Sequence, residues 1–597
     1  VEARSAPGAA IAGTLGGGDP VLALAAGSLP YGALTRASAS ASIASSPHDG
    51  DACGLLAFGF DLEPGASASF YVDVPLHADS GGAAPGADPA AAFERVLAAA
   101  SERWRALLNR VELSGPAPAQ RVFDTVRSQI AYILVNADGP GIQPGSRTYE
   151  RSWIRDGALT GTALLYTGHP EPVRRFIDWY APHQYPSGKV PCVVDRRGPD
   201  PVDEHDSTGQ LIYLINRYHD FTGDSAVLAE YYPAVLRGVE YLQSLRARRM
   251  TPEFADPDAP AHAFYGLVTE SISHEGYSAK PMHSYWDNFF VLRGFRDAAA
   301  IAGKLGRGED ARRLGALERE FRTNLYDSVR LAMRQQGIDY VPGCVELGDF
   351  DATSTSIGVY PVAEHGRIPE PALTNTFERY WRHFVARRDG AAEWRDYTPY
   401  EVRNIGTMVR LGEPERAAEM LAWFLEERTP PGWNQWPEVG HSDPRSPGFV
   451  GDLPHTWVGS DFVSAVRSML VYERETDGAL VVAAGVPEDW IGGEGTRVRG
   501  LPTLHGPIGL DIRRDGDRIV VRLGGEAAPP GGIEIRCPGS APVAAATVDG
   551  RPIELQDRHV RVSAAPAEIV FHPAGPGEPP AVRTPPACPA TTQERTR

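Results

Sequence analysis

The chain has 597 residues, 42% of them hydrophobic and 22% charged, and its 58 basic against 76 acidic residues give a formal net charge of -18. That length exceeds what one hydrophobic core serves, so several domains are expected, and the composition excludes a disordered or collagenous chain. The acidic balance repels phosphate backbones and anionic headgroups, which argues against nucleic acid and membrane surfaces as partners.

Only Lys189, Lys280 and Lys304 are lysines, a usage typical of GC-rich bacterial coding. Cys53, Cys192, Cys344, Cys537 and Cys588 lie far apart, without a CxxC pair or metal-ligand spacing, and their odd number suggests no disulfide framework. A reducing cytosol is favoured. No secretion-signal pattern opens the sequence, and no run approaches the roughly 20 apolar residues of a membrane span. Export stays open, because the sequence starts at Val1 rather than Met.

Residues 1–90 read as a β segment: Ser67, Ser69, Tyr71 and Asp73 alternate with Ala68, Phe70, Val72 and Val74. The strand-like runs are too few for an independent sandwich, so the segment is expected to be part of a larger β-domain. Residues 91–114 form a helical connector carrying Phe93, Val96, Leu97, Trp104, Leu107 and Leu108.

Residues 115–475 read as helical and contain an internal echo. Gly168-His-Pro-Glu171 precedes Phe176, Ile177 and Trp179, and Gly412-Glu-Pro-Glu415 precedes Met420, Leu421 and Trp423 at the same offsets. Each describes a helix ending on glycine and a new helix opened by proline. An Arg with a polar neighbour lies ahead of each glycine, Arg155-Asp156 and Arg403-Asn404. About 360 residues divided into hairpins of about 60 give six hairpins, the arithmetic of an (α/α)6 barrel. An open solenoid would show the same hairpins. The long connections at 185–208, 262–288, 340–355 and 430–456, dense in Trp, Tyr, His and acidic residues, favour the barrel.

Period-two alternation returns at 476–574 with Ile519-Val521-Leu523, Ile533-Ile535 and Ile569-Phe571, and Asp549-Gly550 suits a type I′ hairpin. This predicts a C-terminal β-sandwich-like domain. The Pro-rich tail 575–597 is expected to be disordered.

Alternate connections of a hairpin ring emerge on one side, so four clusters should converge. They are Arg151 to Gly157 (with Trp153, Arg155 and Asp156), Asp203 to Asp206 (with His205), Glu270 to Asp287 (with Glu275, Tyr285 and Trp286), and Trp433 to Trp457 (with Gln435, Trp436, Glu438 and His455). Indole faces beside carboxylates suit a neutral sugar, whose CH faces stack and whose hydroxyls hydrogen-bond. A phosphate site would need glycine-rich backbone and more cations. Trp179 and Trp423 lie at core spacing and read as packing. Trp286, Trp433, Trp436 and Trp457 divide between core and ligand. Asp349 and Asp351 are short of a Ca²⁺ ligand set and read as caps, so no metal and no cofactor are expected.

Tyr149-Glu-Arg-Ser-Trp153-Ile-Arg155-Asp156-Gly-Ala-Leu resembles the first-helix motif of bacterial glucoamylase-like enzymes, glycoside hydrolase family 15, and of their six-hairpin relatives in families 37 and 63. Glu204-His-Asp206 before Gly-Gln-Leu-Ile is similar to their second barrel motif. The resemblance implies inverting, exo-acting hydrolysis of an oligo- or polysaccharide. Its acid falls on Glu275, with Glu270 as the alternative, and its base on Glu438. The chain departs from the family at the acid, where Ser-His-Glu-Gly-Tyr replaces a Trp-containing motif. Burial of Glu275 against aromatics would raise its pKa for proton donation. A phosphorylase, a polysaccharide lyase using Tyr277, His274 and Arg155, and a non-catalytic sugar-binding protein are the alternatives.

Overall fold

The computed structural model describes residues 88–574 and, before them, six short strands and one turn between residues 2 and 69. Phe70 to Val74 of the predicted strand, Cys588 and the predicted disordered tail 575–597 lie outside the described residues. The chain forms two compact units, residues 1–107 and 108–597. In the first, three antiparallel pairs are nested in sequence: Glu2–Arg4 with Ser67–Ser69, Ile11–Gly13 with Phe60–Leu62, and Val21–Ala26 with Ala52–Ala57. Helix α1 (Pro89–Leu108) follows.

The second unit is mainly helical up to residue 470. Its helices are α2 (Ala117–Asn136), α3 (Ile154–Tyr166), α4 (Pro170–Tyr180), α5 (Asp206–Thr222), α6 (Ser225–Ala247), the short α7 (Pro252–Ala255), α8 (Tyr285–Lys304), α9 (Gly308–Gln336), α10 (Ala352–Val359), α11 (Ala372–Arg388), α12 (Arg403–Leu411), α13 (Pro414–Glu426) and α14 (Thr456–Leu470).

Two kinds of helix alternate. α3 is buried along its whole length, α5 from Asp206 to Tyr218 and α8 from Tyr285 to Phe295. Their partners are amphipathic: α4 buries Val173, Phe176, Ile177 and Tyr180, and α13 buries Ala417, Met420, Leu421, Phe424 and Leu425. A helix apolar on one stripe needs one neighbour, whereas one buried all round must lie inside a layer of others. α3 packs on α5, α5 on α8, α8 on α10, α10 on α12 and α12 on α14, and α14 packs back on α3 as well as on α2. The α5–α8 crossing is set by Gly209 and Gly294: a Cβ on Gly209 would stand 2.1 Å from the Phe290 carbonyl oxygen.

The echo proves structural. Gly168 and Gly412 have φ of +79° and +84°, the left-handed caps that glycine permits, and α4 and α13 each begin on the proline that follows. The turns at 223–224 and 412–413 are two residues long, while the buried helices are entered through the long runs 137–153, 181–205, 248–284, 337–351, 389–402 and 427–455. The runs 137–153 and 389–402 are absent from the four long connections that the sequence predicts.

The C-terminal region is β. A seven-stranded antiparallel sheet runs in the order 551–553, 543–548, 567–573, 518–525, 508–515, 496–501 and 112–114. A four-stranded sheet orders 471–474, 479–482, 533–536 and 559–562. Ile519, Val521, Leu523, Ile569 and Phe571 are buried as their alternation predicts, and Asp549 and Gly550 both have positive φ in a tight hairpin. Two readings change. Glu112–Ser114, expected within a helical connector, is an edge strand paired with Thr496–Leu501, because Leu113 alone of the three faces the core. The strand Val471–Arg474 places the start of the β region before residue 476.

Candidate active site

Several of the buried helices begin with an acidic residue in the first turn: Asp156 in α3, Asp206 in α5 and Asp287 in α8. The unpaired N–H groups and dipole of a helix start favour negative charge there. Arg155 Nη1 donates to Glu204 Oε2 at 2.5 Å, its Nε lies 3.8 Å from Asp156 Oδ2, and the guanidinium sits 4.9 Å from the centre of the Trp457 ring. Burial pushes the Asp156 carboxyl up to about 7; Arg155 opposes the shift, and Glu275 and Glu438 add to it. Glu204 is raised by burial as well, against Arg155. Asp156 Oδ1, Glu204 Oε1, Arg155 Nε and Trp457 Nε1 make no hydrogen bond within the protein. Asp206 Oδ2 accepts from Trp286 Nε1 at 2.7 Å and from Gln210 Nε2 at 2.8 Å.

The connections complete the cluster. Trp153 Nε1 donates to Glu275 Oε1 at 3.1 Å, and the Tyr149 hydroxyl donates to Glu438 Oε2. Tyr149 and Trp153 meet edge to face, with ring centres 5.6 Å apart. Glu438 is raised above the usual carboxylate range by burial and by the charge of Glu275, while the tyrosine hydrogen bonds hold its ionised form. Tyr400 stands 3.4 Å from Glu438 Oε1 and 2.7 Å from His455 Nε2. Burial pushes His455 down to about 3, so it is neutral. With its proton on Nε2 it donates to Tyr400, whose own proton is directed to Glu438.

All four predicted clusters therefore meet through Arg155–Glu204, Trp153–Glu275, Tyr149–Glu438, Asp206–Trp286 and the Trp286–Trp457 ring contact at 6.0 Å. Individual residues differ. Glu275 is exposed, at φ +62°, because its loop turns outward; the burial against aromatics expected for it is not found. Glu270 is exposed, pairs with the more buried Arg249 and lies 3.6 Å from His283. His205 is buried beside Thr269, 3.1 Å from its hydroxyl, and its pKa is lowered by burial. Trp433 is 54% exposed.

Three predicted contacts belong to packing instead. Trp436 is 1% exposed and its Nε1 donates to the Phe424 carbonyl, since the ring follows the chain inward between α13 and α14. Gln435 is fully buried and donates to the Thr429 carbonyl. The Tyr285 hydroxyl turns to Ser328 of α9 at 2.9 Å. Tyr277, offered for a lyase, donates to Asp349 at 2.9 Å.

Tyr400 was missed, as was Arg403, which pairs with Asp461 at 2.7 Å and lies 5.4 Å from the Trp457 ring centre. The signal in the sequence is that Arg403, like Arg155, stands in the first turn of the helix that leads to the echoed glycine. Asp351 caps α10 by accepting from Ser354 N at 2.9 Å. Among the described residues no group of three or more His, Cys, Asp or Glu is arranged to hold a metal ion, and no helix is long and apolar enough to cross a membrane.

No family model and no curated protein matches the chain. Solved structures do. An α-L-rhamnosidase from Dictyoglumus thermophilum matches with a TM-score of 0.51 at 12% identity, over 77% of this chain and 50% of that one. A Streptomyces avermitilis α-L-rhamnosidase complexed with L-rhamnose gives 0.48 at 15% identity, over 77% and 42%. A structure described as a wild-type glycosidase gives 0.43 at 14% identity, over 59% and 97%. The chain thus spans about half the length of the first rhamnosidase, with which it shares its fold: a mainly helical region followed by antiparallel β-sheet. The likeness to families 15, 37 and 63 rests on the motifs alone.

Proposed function

We propose that the chain is an inverting, exo-acting glycoside hydrolase of an oligo- or polysaccharide, with Glu275 as general acid and Glu438 as general base. It works on a closed (α/α)6 barrel over residues 115–475, flanked by the N-terminal β segment and the C-terminal β domain. Packing of α14 on both α2 and α3 supports closure. The observation that carries the reading is the bracket formed by Tyr149 and Trp153: two rings in contact, each donating to a different carboxylate.

In this reading Glu438, inward and accepting from two tyrosines that favour its ionised form against burial, activates water. Glu275, on the solvent side, protonates the departing oxygen, and the leaving group exits outward. The buried, unbonded Asp156 Oδ1, on a carboxylate that feels the charge of both Glu275 and Glu438, would take a sugar hydroxyl. The Arg155 and Arg403 guanidiniums are paired with Glu204 and Asp461, which leaves little free positive charge to receive phosphate.

The test is product analysis. Reducing sugar should be released without added phosphate, and proton NMR should find the first product with the anomeric configuration opposite to the substrate's. Inversion needs the carboxyls about 6.5 to 9.5 Å apart, whereas retention needs about 5.5 Å and would turn one of them into a nucleophile. Phosphate-dependent turnover would replace the hydrolase by a phosphorylase, and an unsaturated product absorbing in the ultraviolet would replace it by a lyase.

A further inference from the structure

Glu275 sits in a loop that its own sequence does not favour. Ser273 and Glu275 both adopt the left-handed region, with φ of +44° and +62°, which non-glycine residues enter only when their surroundings hold them. Gly276 follows so closely that a Cβ there would stand 2.7 Å from the His274 ring. Something must fix this shape, and the side chain best placed is Asp287.

Asp287 lies in the first turn of α8 and is 1% exposed. Its Oδ2 accepts from Ser271 Oγ at 2.6 Å and its Oδ1 from Ser273 Oγ at 2.7 Å. Ser271 Oγ in turn accepts from Ser273 N at 2.8 Å, closing a small ring of bonds just ahead of Glu275. The backbone N–H of His205 also donates to Asp287, which ties the second cluster to the third. His274, between the two left-handed residues, stacks on Trp286 with ring centres 4.6 Å apart and planes at 10°. The loop is therefore clamped to the start of α8 from both sides, while Glu275 itself projects to solvent and is restrained by Trp153 alone among the bonds described for its carboxylate.

We propose that Asp287 is the positioning residue of the proton donor: through Ser271 and Ser273 it holds the 271–276 loop in the left-handed geometry that aims Glu275 at the leaving-group oxygen. This rests on the hydrolase reading with Glu275 as acid. A two-point carboxylate acceptor on a rigid helix is the kind of support that keeps a catalytic group within the narrow tolerance that proton transfer demands.

Leaving-group dependence tests it. The full chain, Asp287→Ala, the double variant Ser271→Ala/Ser273→Ala, Glu275→Gln and the combination of Asp287→Ala with Glu275→Gln would be assayed on methyl and 2,4-dinitrophenyl glycosides of neutral hexoses and deoxyhexoses. A methyl glycoside needs the proton and a dinitrophenyl glycoside does not. Asp287→Ala should lower kcat on the methyl glycoside by about 10- to 100-fold, part of the ~100- to 10,000-fold that acid catalysis supplies, with a loss of under about 3-fold on the dinitrophenyl glycoside. The serine pair should lose activity in the same pattern, and it answers the question if Asp287→Ala does not fold. In the Glu275→Gln background Asp287→Ala should add nothing, since the group it positions is already disabled. Equal losses on both glycosides, no loss on either, or full additivity with Glu275→Gln would overturn the proposal. If the wild type hydrolyses both glycosides but Glu275→Gln is undiminished on the methyl glycoside, the acid is another group and the proposal falls while the hydrolase stands. A wild type that cleaves neither removes both.

Discussion

Asp156, Asp206 and Asp287 stand in the first turns of α3, α5 and α8 and are buried, whereas Glu275 and Glu270 stand in a single loop and reach solvent. Asp206, Asp287 and Glu275 look alike in sequence, each a carboxylate following His or Trp. In the helix-borne set, Asp206 and Asp287 accept from indole and serine donors, and Asp156 faces the Arg155 guanidinium at 3.8 Å. The loop-borne pair diverges, Glu275 to Trp153 and Glu270 to Arg249, because a loop is free to choose its partners. Glu438 stands between these cases: its backbone is on a connection, yet two tyrosines grip its carboxylate. In the proposed hydrolase, binding chemistry would thus be built into the rigid layer and proton transfer placed at its edge.

The comparison breaks most visibly if the edge carboxylates prove dispensable. Glu438→Gln and Glu275→Gln should each lower kcat by about 100- to 10,000-fold on a substrate with a poor leaving group. Thermal unfolding of the exposed Glu275→Gln should stay close to wild type. An activated aryl glycoside should rescue Glu275→Gln and not Glu438→Gln; the reverse pattern would exchange their roles.

Trp436 and Trp433 sharpen the same contrast within one loop. Trp436→Ala should cost about 3 to 5 kcal/mol in chemical denaturation, the usual loss for a large core aromatic. Trp433→Ala should change stability by no more than about 0.5 kcal/mol and raise KM more than it lowers kcat, as loss of uniform substrate binding does. An unchanged KM would remove Trp433 from the substrate path.

The smallest effect concerns pH. Asp156 is pushed from 3.8 to about 7 on folding, so the folded chain holds a proton there that the unfolded chain has released. Its contribution is complete below about pH 4 and is lost as the pH rises through about 7. Asp156→Asn removes that dependence, so the melting temperature of the variant minus that of the wild type should increase between pH 5 and pH 8. A flat difference would mean that Arg155 keeps Asp156 ionised throughout.

Local rules alone were enough for much of this molecule. The glycine and proline of the echo predict where α4 and α13 begin, and the alternation around Ile519, Val521 and Leu523 predicts a strand, because helix caps and period-two burial depend on neighbours within a few residues. The Trp153, Glu204, Glu275 and Glu438 segments converge, as expected of alternate connections between helical hairpins. What the tertiary structure decided was direction and exposure. Trp433 and Trp436 share a three-residue spacing, yet one faces solvent and the other fills the core, where Phe424 of α13 and Phe462 of α14 receive its ring. Leu113 pairs with a strand almost four hundred positions later, Glu275 turns outward on a left-handed backbone, and Tyr400 arrives from a connection with no motif of its own. Each of these depends on partners distant in sequence, whose positions exist only after the helices have packed.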